Sequence, residues 1–464
     1  MKRVLCIAFF SLLMGLNQSI AEEVTSISQY GITWTFDKKH EAGQFATGDY
    51  WVLGPVNVIG ITTDLHAPGF TPGPGQDGSM VNPGIDDKQG YDNRLSSYDA
   101  TRNASIIGGK PVAADNPLVL TNNSSLVSMV SWLCKSDQDT EPGTPKFDAG
   151  RKGVPRPATR RGAILTVLSA APPNQSFRPP YAGDDKTVKF NINQLDPSKL
   201  KNLPPVADTP DPRVLAKQME RPWLDHVHQY LGSMVHPSEN MPDYGQQMGH
   251  IMVQVSLLLQ LDFSKMSGKP TKDKLLIELV QYGIDLAGIA DHGGGWPANG
   301  GHHMGRKWPI LFAGVMLNDA HMSDVGNWKT CFQEDEDTFY VSQREVEITN
   351  GPKWNPDKRG GHPEPYSTND IGMAEWGICH ASKPAADNRD WLAIYRFTNN
   401  SVYPGFVLAA RIMGLEQAWN HPALFDYTDR MMKKPDDSSH PNRPPVFVVN
   451  MWKAYGTQKV TVDR

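Results

Sequence analysis

Apolar and polar positions alternate through "YGITWTFD" at Tyr30–Asp37, in a run rich in β-branched and aromatic residues. That period of two predicts a strand buried on one face. After a turn-like "ATG", "DYWVLGPVNVIGITT" continues the pattern to about Asp64, and "PLVLTNNSSLVSMVSW" and "RGAILTVLSAAP" read as further strands. From His66 to Asp115, Gly, Pro, Asn and Asp predominate, which predicts long ordered loops. From Pro172 to Pro212 proline is frequent, in "APPNQSFRPPY" and "NLPPVADTPDP", as in a linker or a surface-hugging crossover.

Beyond Pro212 the period lengthens. Leu215, Met219, Trp223, Val227 and Leu231 share one face of a helix spanning Arg213–Met234, with Pro222 a breakpoint. "PDYGQQMGHIMVQVSLLLQLDF" is a strong buried helix, with Pro242 suited to its first turn. "PTKDKLLIELVQYGIDLAGIADHG" is another, stopped by Gly293. "PILFAGVMLND", "YPGFVLAARIMGLEQAWN", "PALFDYTDRMMKK" and "PPVFVVNMWKAY" follow. The expected organisation is a β-rich region at 22–171, a Pro-rich linker or crossover at 172–212, and a helical region at 213–464. Successive helical pairs with functional loops at one end point to a mainly α architecture, an α/α toroid with a β-rich N-terminal part.

The first 21 residues change the cellular picture. Lys2 and Arg3 precede a short apolar run, Val4–Leu16, and the small residues of Ser19-Ile20-Ala21. This is the form of a secretory signal, too short to span a bilayer comfortably. A periplasmic or secreted protein with no membrane attachment after cleavage is expected. The whole chain carries a formal charge of −5, and losing Lys2 and Arg3 makes it more negative. A net negative protein is not built for nonspecific nucleic-acid binding, so any anionic ligand needs a local basic cleft. Cys6 leaves with the signal, and Cys134, Cys331 and Cys379 allow one internal disulfide at most.

The densest chemistry lies in "GGWPANGGHHMGRKWPILFAG", Gly294–Gly314, between two helices. Its glycines mimic a phosphate loop, but Arg306 and Lys307 stand where Lys and Ser/Thr belong, and no βαβ context surrounds it. Adjacent His302 and His303 point about 100° apart on a helix, unlike a zinc-binding HExxH pair. Zinc shared with His292, His362 or His380 is left open by this spacing. A polyanion site fits better: glycines admit a close ligand, Arg306 offers a fork, Lys307 a point charge, and a histidine moves protons. The structural alternative is a tight interhelical turn with solvated cations. A second constellation, "PEPYSTNDIGMAEWGICHA", holds Tyr366, Glu375, Trp376 and His380; Trp376 is a sugar-stacking surface, or Glu375 and His380 a structural pair. "RDWLAIYRFTNNSVYPG" adds Tyr395 and Arg396, and Tyr244 stands at a helix mouth. Tyr340, after acidic residues, is more often structural than functional.

Taken together, "YGITWTFDKKHEAGQFATGDYWVLGP", "GGHHMGRKWPILFAG", "EWGICHA" and "GFVLAARIMGLEQAWNHPALFDYTDR" resemble secreted bacterial polysaccharide lyases of helical-toroid type, nearest to polysaccharide lyase family 38. The resemblance spans Tyr30 to about Met432. It implies an α/α barrel and cleavage of alginate or glucuronan, with a tyrosine, a histidine or asparagine, and an arginine in the machinery. For β-elimination on a 1,4-linked uronate, Arg306 or Arg396, helped by His302, would neutralise the sugar carboxylate. His303 or Tyr244 would take the C5 proton, and Tyr395 or Tyr244 would return one to O4. Trp296, Trp376 and Tyr340 would stack on sugars, with Lys307, Tyr366, Glu375 and His380 holding substrate. No cofactor is required by this reading, a structural Ca²⁺ or Zn²⁺ stays open, and the expected partner is an anionic polysaccharide. Two alternatives remain: a toroid glycoside hydrolase using carboxylates among Asp243, Asp291, Asp370 and Glu375, or a noncatalytic glycan-binding protein.

Overall fold

The computed structural model describes residues 21–64, 66, 71–132, 147–148, 154–352, 365–377, 393–433 and 443–456. The expected signal segment, His380, Cys134 and Cys379 fall outside this set, apart from Ala21.

The N-terminal strands are β1 (Glu22–Gln29), β2 (Ile32–Gln44), β3 (Tyr50–Leu53), β4 (Val56–Thr63), β5 (Ser79–Val81), β6 (Leu118–Leu120), β7 (Ser124–Ser131) and β8 (Thr159–Leu168). They form one eight-stranded mixed sheet in the order β5-β7-β8-β3-β2-β4-β6, with β1 also paired to β2. The β8–β3 pair is parallel and the other pairs are antiparallel. The alternation read in β2 is realised: Ile32, Trp34 and Phe36 are buried beside Val56 and Val58 of β4. β7 and β8 are covered on both faces. Leu126, Val130, Leu165 and Val167 join the core within the curled sheet, while Val127, Met129 and Ile164 face the helices. A period of two thus feeds two cores from the same strands.

The main helices are α1 (Pro212–Met219), α2 (Gly245–Leu259), α3 (Lys269–Asp291), α4 (Lys307–Leu317), α5 (Gln333–Asp337), α6 (Ala393–Asn400), α7 (Tyr403–Met413), α8 (Pro422–Met432) and α9 (Val446–Tyr455). α2 is apolar almost all round, with Ile251, Met252, Val255, Leu258 and Leu259 buried, as a helix enclosed on every side must be. It packs against α7, α9 and α3.

The α/α toroid expectation is overturned. The structure is 37% helix and 21% strand, with a large curled mixed sheet forming a half-barrel. The helices have apolar surface enough for a ring, yet part of it goes to the sheet: one continuous core joins Met80, Val127 and Ile164 to residues of α1, α2 and α3. The Arg213–Met234 helix also stops early, at Met219. Pro222 breaks it, and Trp223–Val227 continues as a non-helical segment buried along its length, with the polar side chains of Asp225 and His226 inside. Gln229–Met234 is a 3-10 turn. The Pro-rich stretch crosses between sheet and helices, with Phe177, Arg178 and Tyr181 buried. Arg178 bonds Asp49, just ahead of β3, at 2.8 Å and Asp285 on α3 at 2.6 Å.

Candidate functional site

The glycine-rich loop Gly294–Arg306 joins α3 to α4, and what lies beneath it is the short helix α5. All five α5 side chains hold separate points. Gln333 accepts from the His303 amide at 2.9 Å and donates to the Gly300 carbonyl. Glu334 accepts from the Gly305 amide at 2.5 Å. Asp335 pairs with Lys307 and accepts from Trp419 Nε1 at 2.9 Å. Glu336 accepts from the Ala298 amide at 2.8 Å. Asp337 accepts from Tyr403 at 2.6 Å and Asn399 at 2.7 Å, and Asn399 also donates to the Gly300 carbonyl at 3.1 Å. Buried backbone groups need such partners. The glycines are needed for approach: a Cβ on Gly245 would stand 2.0 Å from the His302 carbonyl oxygen, and Gly305 takes φ +88°.

Burial pushes the Glu334 carboxyl up to about 7, against the pull of its backbone hydrogen bonds. Its Oε2 is buried with no hydrogen-bond partner among the described residues. Burial also drives Asp337 well above the usual carboxylate range, with Tyr403, Gln333 and Asn399 opposing. Both carboxyls therefore favour the neutral form in this enclosure.

The loop cations face inward. Arg306 is 1% exposed and bonds Asp225 at 2.8 Å, the Met304 carbonyl at 2.6 Å and the His302 carbonyl at 3.2 Å. Asp225 also meets His236 at 3.2 Å. Burial raises the Asp225 carboxyl, but Arg306 and His236 outweigh it and hold it below its ordinary range. Lys307 is equally buried, between Asp335 and the Trp419 carbonyl at 2.6 Å. His303 is buried, with Nδ1 2.6 Å from the Pro297 carbonyl. Trp296 is buried and stacked on Phe332 at 5.7 Å.

The second constellation packs against the α5 support, its short strand Ala374–Trp376 paired with Thr338–Tyr340. Glu375 is buried between Arg396 and Arg430, each at 2.7 Å, and Trp376 is buried with its indole donating to Tyr403 at 3.2 Å. Arg396 lies over the Trp376 ring at 5.7 Å, and Tyr366 is buried in an adjoining cluster. Tyr340 is exposed and donates to Asp426 at 2.5 Å.

One group of candidates does meet at a partly exposed rim. Tyr244, immediately before α2, sets its ring edge-on to His302 at 4.7 Å, and its hydroxyl accepts from the Gly301 amide at 2.9 Å. Tyr395 of α6 lies against Gly300, where a Cβ would come within 2.9 Å of its ring. Burial pushes the Tyr244 phenol up to about 12, moderated by the Gly301 amide and raised further by Tyr395. At neutral pH this phenol is a proton donor. Two further members went unremarked in the sequence. Exposed Tyr230 lies 6.1 Å from the His302 ring, and Arg156 forms an ion pair with Asp243, its Nε 2.8 Å from the carboxylate, next to Tyr244. Neither sits in a recognisable motif; the gathering is tertiary.

The four carboxylates of the hydrolase alternative have separate partners: Arg156 for Asp243, His321 for Asp291, the Ser367 amide for Asp370, and two arginines for Glu375. Among the described residues no three His, Cys, Asp or Glu side chains gather as a metal site, and no helix is long and apolar enough to cross a membrane. No family model, curated protein or solved structure matches this chain.

Proposed function

We propose that this protein is an exported polysaccharide lyase that cleaves 1,4-linked uronate polymers, of alginate or glucuronan type, by β-elimination at the rim formed by Tyr244, His302, Tyr395 and Arg156. The observation that carries the reading is the Tyr244–His302 pair, edge to face at 4.7 Å above a stretch of bare glycine backbone. β-Elimination needs three chemical services: a charge to quiet the sugar carboxylate, a base for the C5 proton, and an acid for the departing O4. Arg156 supplies the first. His302 is the base. Tyr244, whose phenol keeps its proton well above neutral pH, is the acid. Tyr395 borders the same glycines from the opposite element, and Tyr230 offers an exposed ring for a sugar face. Arg306 and Lys307, enclosed against Asp225 and Asp335, shape the loop instead of meeting substrate in this reading.

The test is a panel of alginate, glucuronan and neutral polymers, followed by ultraviolet absorbance and mass spectrometry of the products. An unsaturated sugar end on an acidic polymer is the expected result. Saturated products would favour a hydrolase. Saturable binding with no shortening of any polymer would leave only glycan recognition.

A further inference from the structure

Tyr244 and His302 come from different parts of the chain, and something must fix the angle between them. At the rim itself the Gly301 amide donates to the Tyr244 hydroxyl at 2.9 Å, and the Gln246 amide to the Gly301 carbonyl at 2.8 Å. Both of these ties fall on Gly301, and bonds gathered at one residue leave the two halves free to pivot about it. A second attachment through other residues removes that freedom. The buried Asp225 carboxylate supplies it. On one side it accepts from Arg306, Nε at 2.8 Å and Nη2 at 3.3 Å, and Arg306 Nη1 donates to the His302 carbonyl at 3.2 Å. On the other side it meets His236 Nε2 at 3.2 Å, and His236 Nδ1 lies 2.9 Å from the carbonyl of Pro242, two residues before Tyr244. A carbonyl and an ionised carboxylate can only accept, so both ring nitrogens of His236 donate. The hub is itself held still. The Asp225 amide donates to the Tyr181 hydroxyl at 2.7 Å, and the His236 carbonyl accepts from Thr159 of β8 at 2.9 Å. Asp225, His236 and Arg306 are all buried, where charge-assisted hydrogen bonds are strong and directional.

We infer that Asp225 and His236 are positioning residues for the rim: the path Pro242–His236–Asp225–Arg306–His302 holds the Tyr244 and His302 rings edge to face at 85° and 4.7 Å. This rests on the reading that the rim is the catalytic site, and extends it to buried groups that never touch substrate. A base and an acid that serve one sugar must be aimed as well as adjacent, and small misplacements are costly in turnover. His236 is the one link with a donor at each end, so it can be cut on either side separately.

The experiment uses the full chain as wild type, His236→Asn and His236→Gln. Asparagine keeps a donor in the place of Nδ1 and loses the one toward Asp225; glutamine does the reverse. Hydrogen exchange at the Gly301 amide reports the rim without any catalysis, with the interior amides of α2 and the melting temperature as checks on folding. Both variants should exchange at Gly301 at least about tenfold faster than wild type while the α2 interior is unchanged. Each should lose at least about tenfold in kcat on polyuronate with KM within about twofold, the mark of lost alignment instead of lost binding. A merely structural role would lower the melting temperature and leave both readouts of the folded protein alone. Unchanged Gly301 exchange, or wild-type kcat, in a folded variant overturns the positioning role. Wild type gives a test that needs no variant: nitrogen NMR at neutral pH should show a proton on both ring nitrogens of His236, and one bare nitrogen means that a link is missing and overturns it too. Failure of the lyase reading looks different: Gly301 exchange responds as expected, but wild type yields no unsaturated product.

Discussion

Glutamine at position 334 isolates the energetics of the loop support. Glu334 is fully enclosed, and its carboxyl titrates near 7 in the fold against an ordinary value of 4.5. A carboxyl raised in the folded state binds its proton more tightly there than in the unfolded chain. Stability therefore falls as pH climbs from about 4.5 to about 7, and levels off above that, where both states are ionised. The gap between those values corresponds to about 3 kcal/mol, since each pKa unit is worth about 1.4 kcal/mol. Glu334→Gln keeps the shape and the acceptor for the Gly305 amide but cannot ionise. The assay is urea unfolding followed by tryptophan fluorescence at half-unit pH steps from 4.5 to 8. Most other titrating groups are common to both proteins and cancel in the difference. Asp337 is an exception of known sign, since charged Glu334 raises it further. The variant should gain on wild type across the window, by about 3 kcal/mol at its upper end. Parallel stability profiles for the two proteins would refute the argument that burial beneath the loop raises the Glu334 carboxyl.

Three further outcomes follow from the site. Arg306→Met leaves Asp225 in the interior with His236 as its remaining charged partner, so it should lower unfolding free energy by about 3 kcal/mol, read by chemical denaturation; a neutral result would mean the Arg306–Asp225 pair is not enclosed in solution. Tyr244→Phe removes only the acceptor of the Gly301 amide, so it should cost about 1 kcal/mol of stability yet lower turnover on polyuronate at least about 100-fold. Equal activity in that variant would remove Tyr244 as the acid. Gly245→Ala places a methyl 2.0 Å from the His302 carbonyl oxygen and should destabilise by about 1–3 kcal/mol; an unshifted melting temperature would show that the loop does not approach α2 so closely.

Local pattern carried the strands and the longest helices because one residue's fate there depends on its near neighbours. β2 shows its buried face in Ile32, Trp34 and Phe36, and α2 and α3 are long enough for their apolar content to be decisive. What a helix packs against is another matter. The same apolar surface suits a ring of helices or the back of a sheet, and Val127 and Ile164 decide in favour of the sheet only once the strands are placed. The loop told a similar story. Its glycines were visible as a device for close approach, but the cations were read as facing a ligand because their partners are remote. Asp225 lies 81 residues before Arg306, and Asp335 lies 28 after Lys307. The acidic run of α5 gave no such sign in the sequence: its inward placement rests on partners such as the Gly305 amide and Tyr403, which lie 29 and 66 residues away.

The five consecutive attachments of α5 have a consequence for how this chain tolerates change in length. Each side chain addresses a different atom group, so the segment works like a key cut at every position. Inserting one residue would rotate the following teeth by about 100° around the helix axis and misalign several side chains at once, where a point substitution would release the contacts of one side chain. Loop insertions elsewhere leave such registers intact, so engineering or natural drift that alters chain length should bypass Gln333–Asp337 and settle in the outer turns.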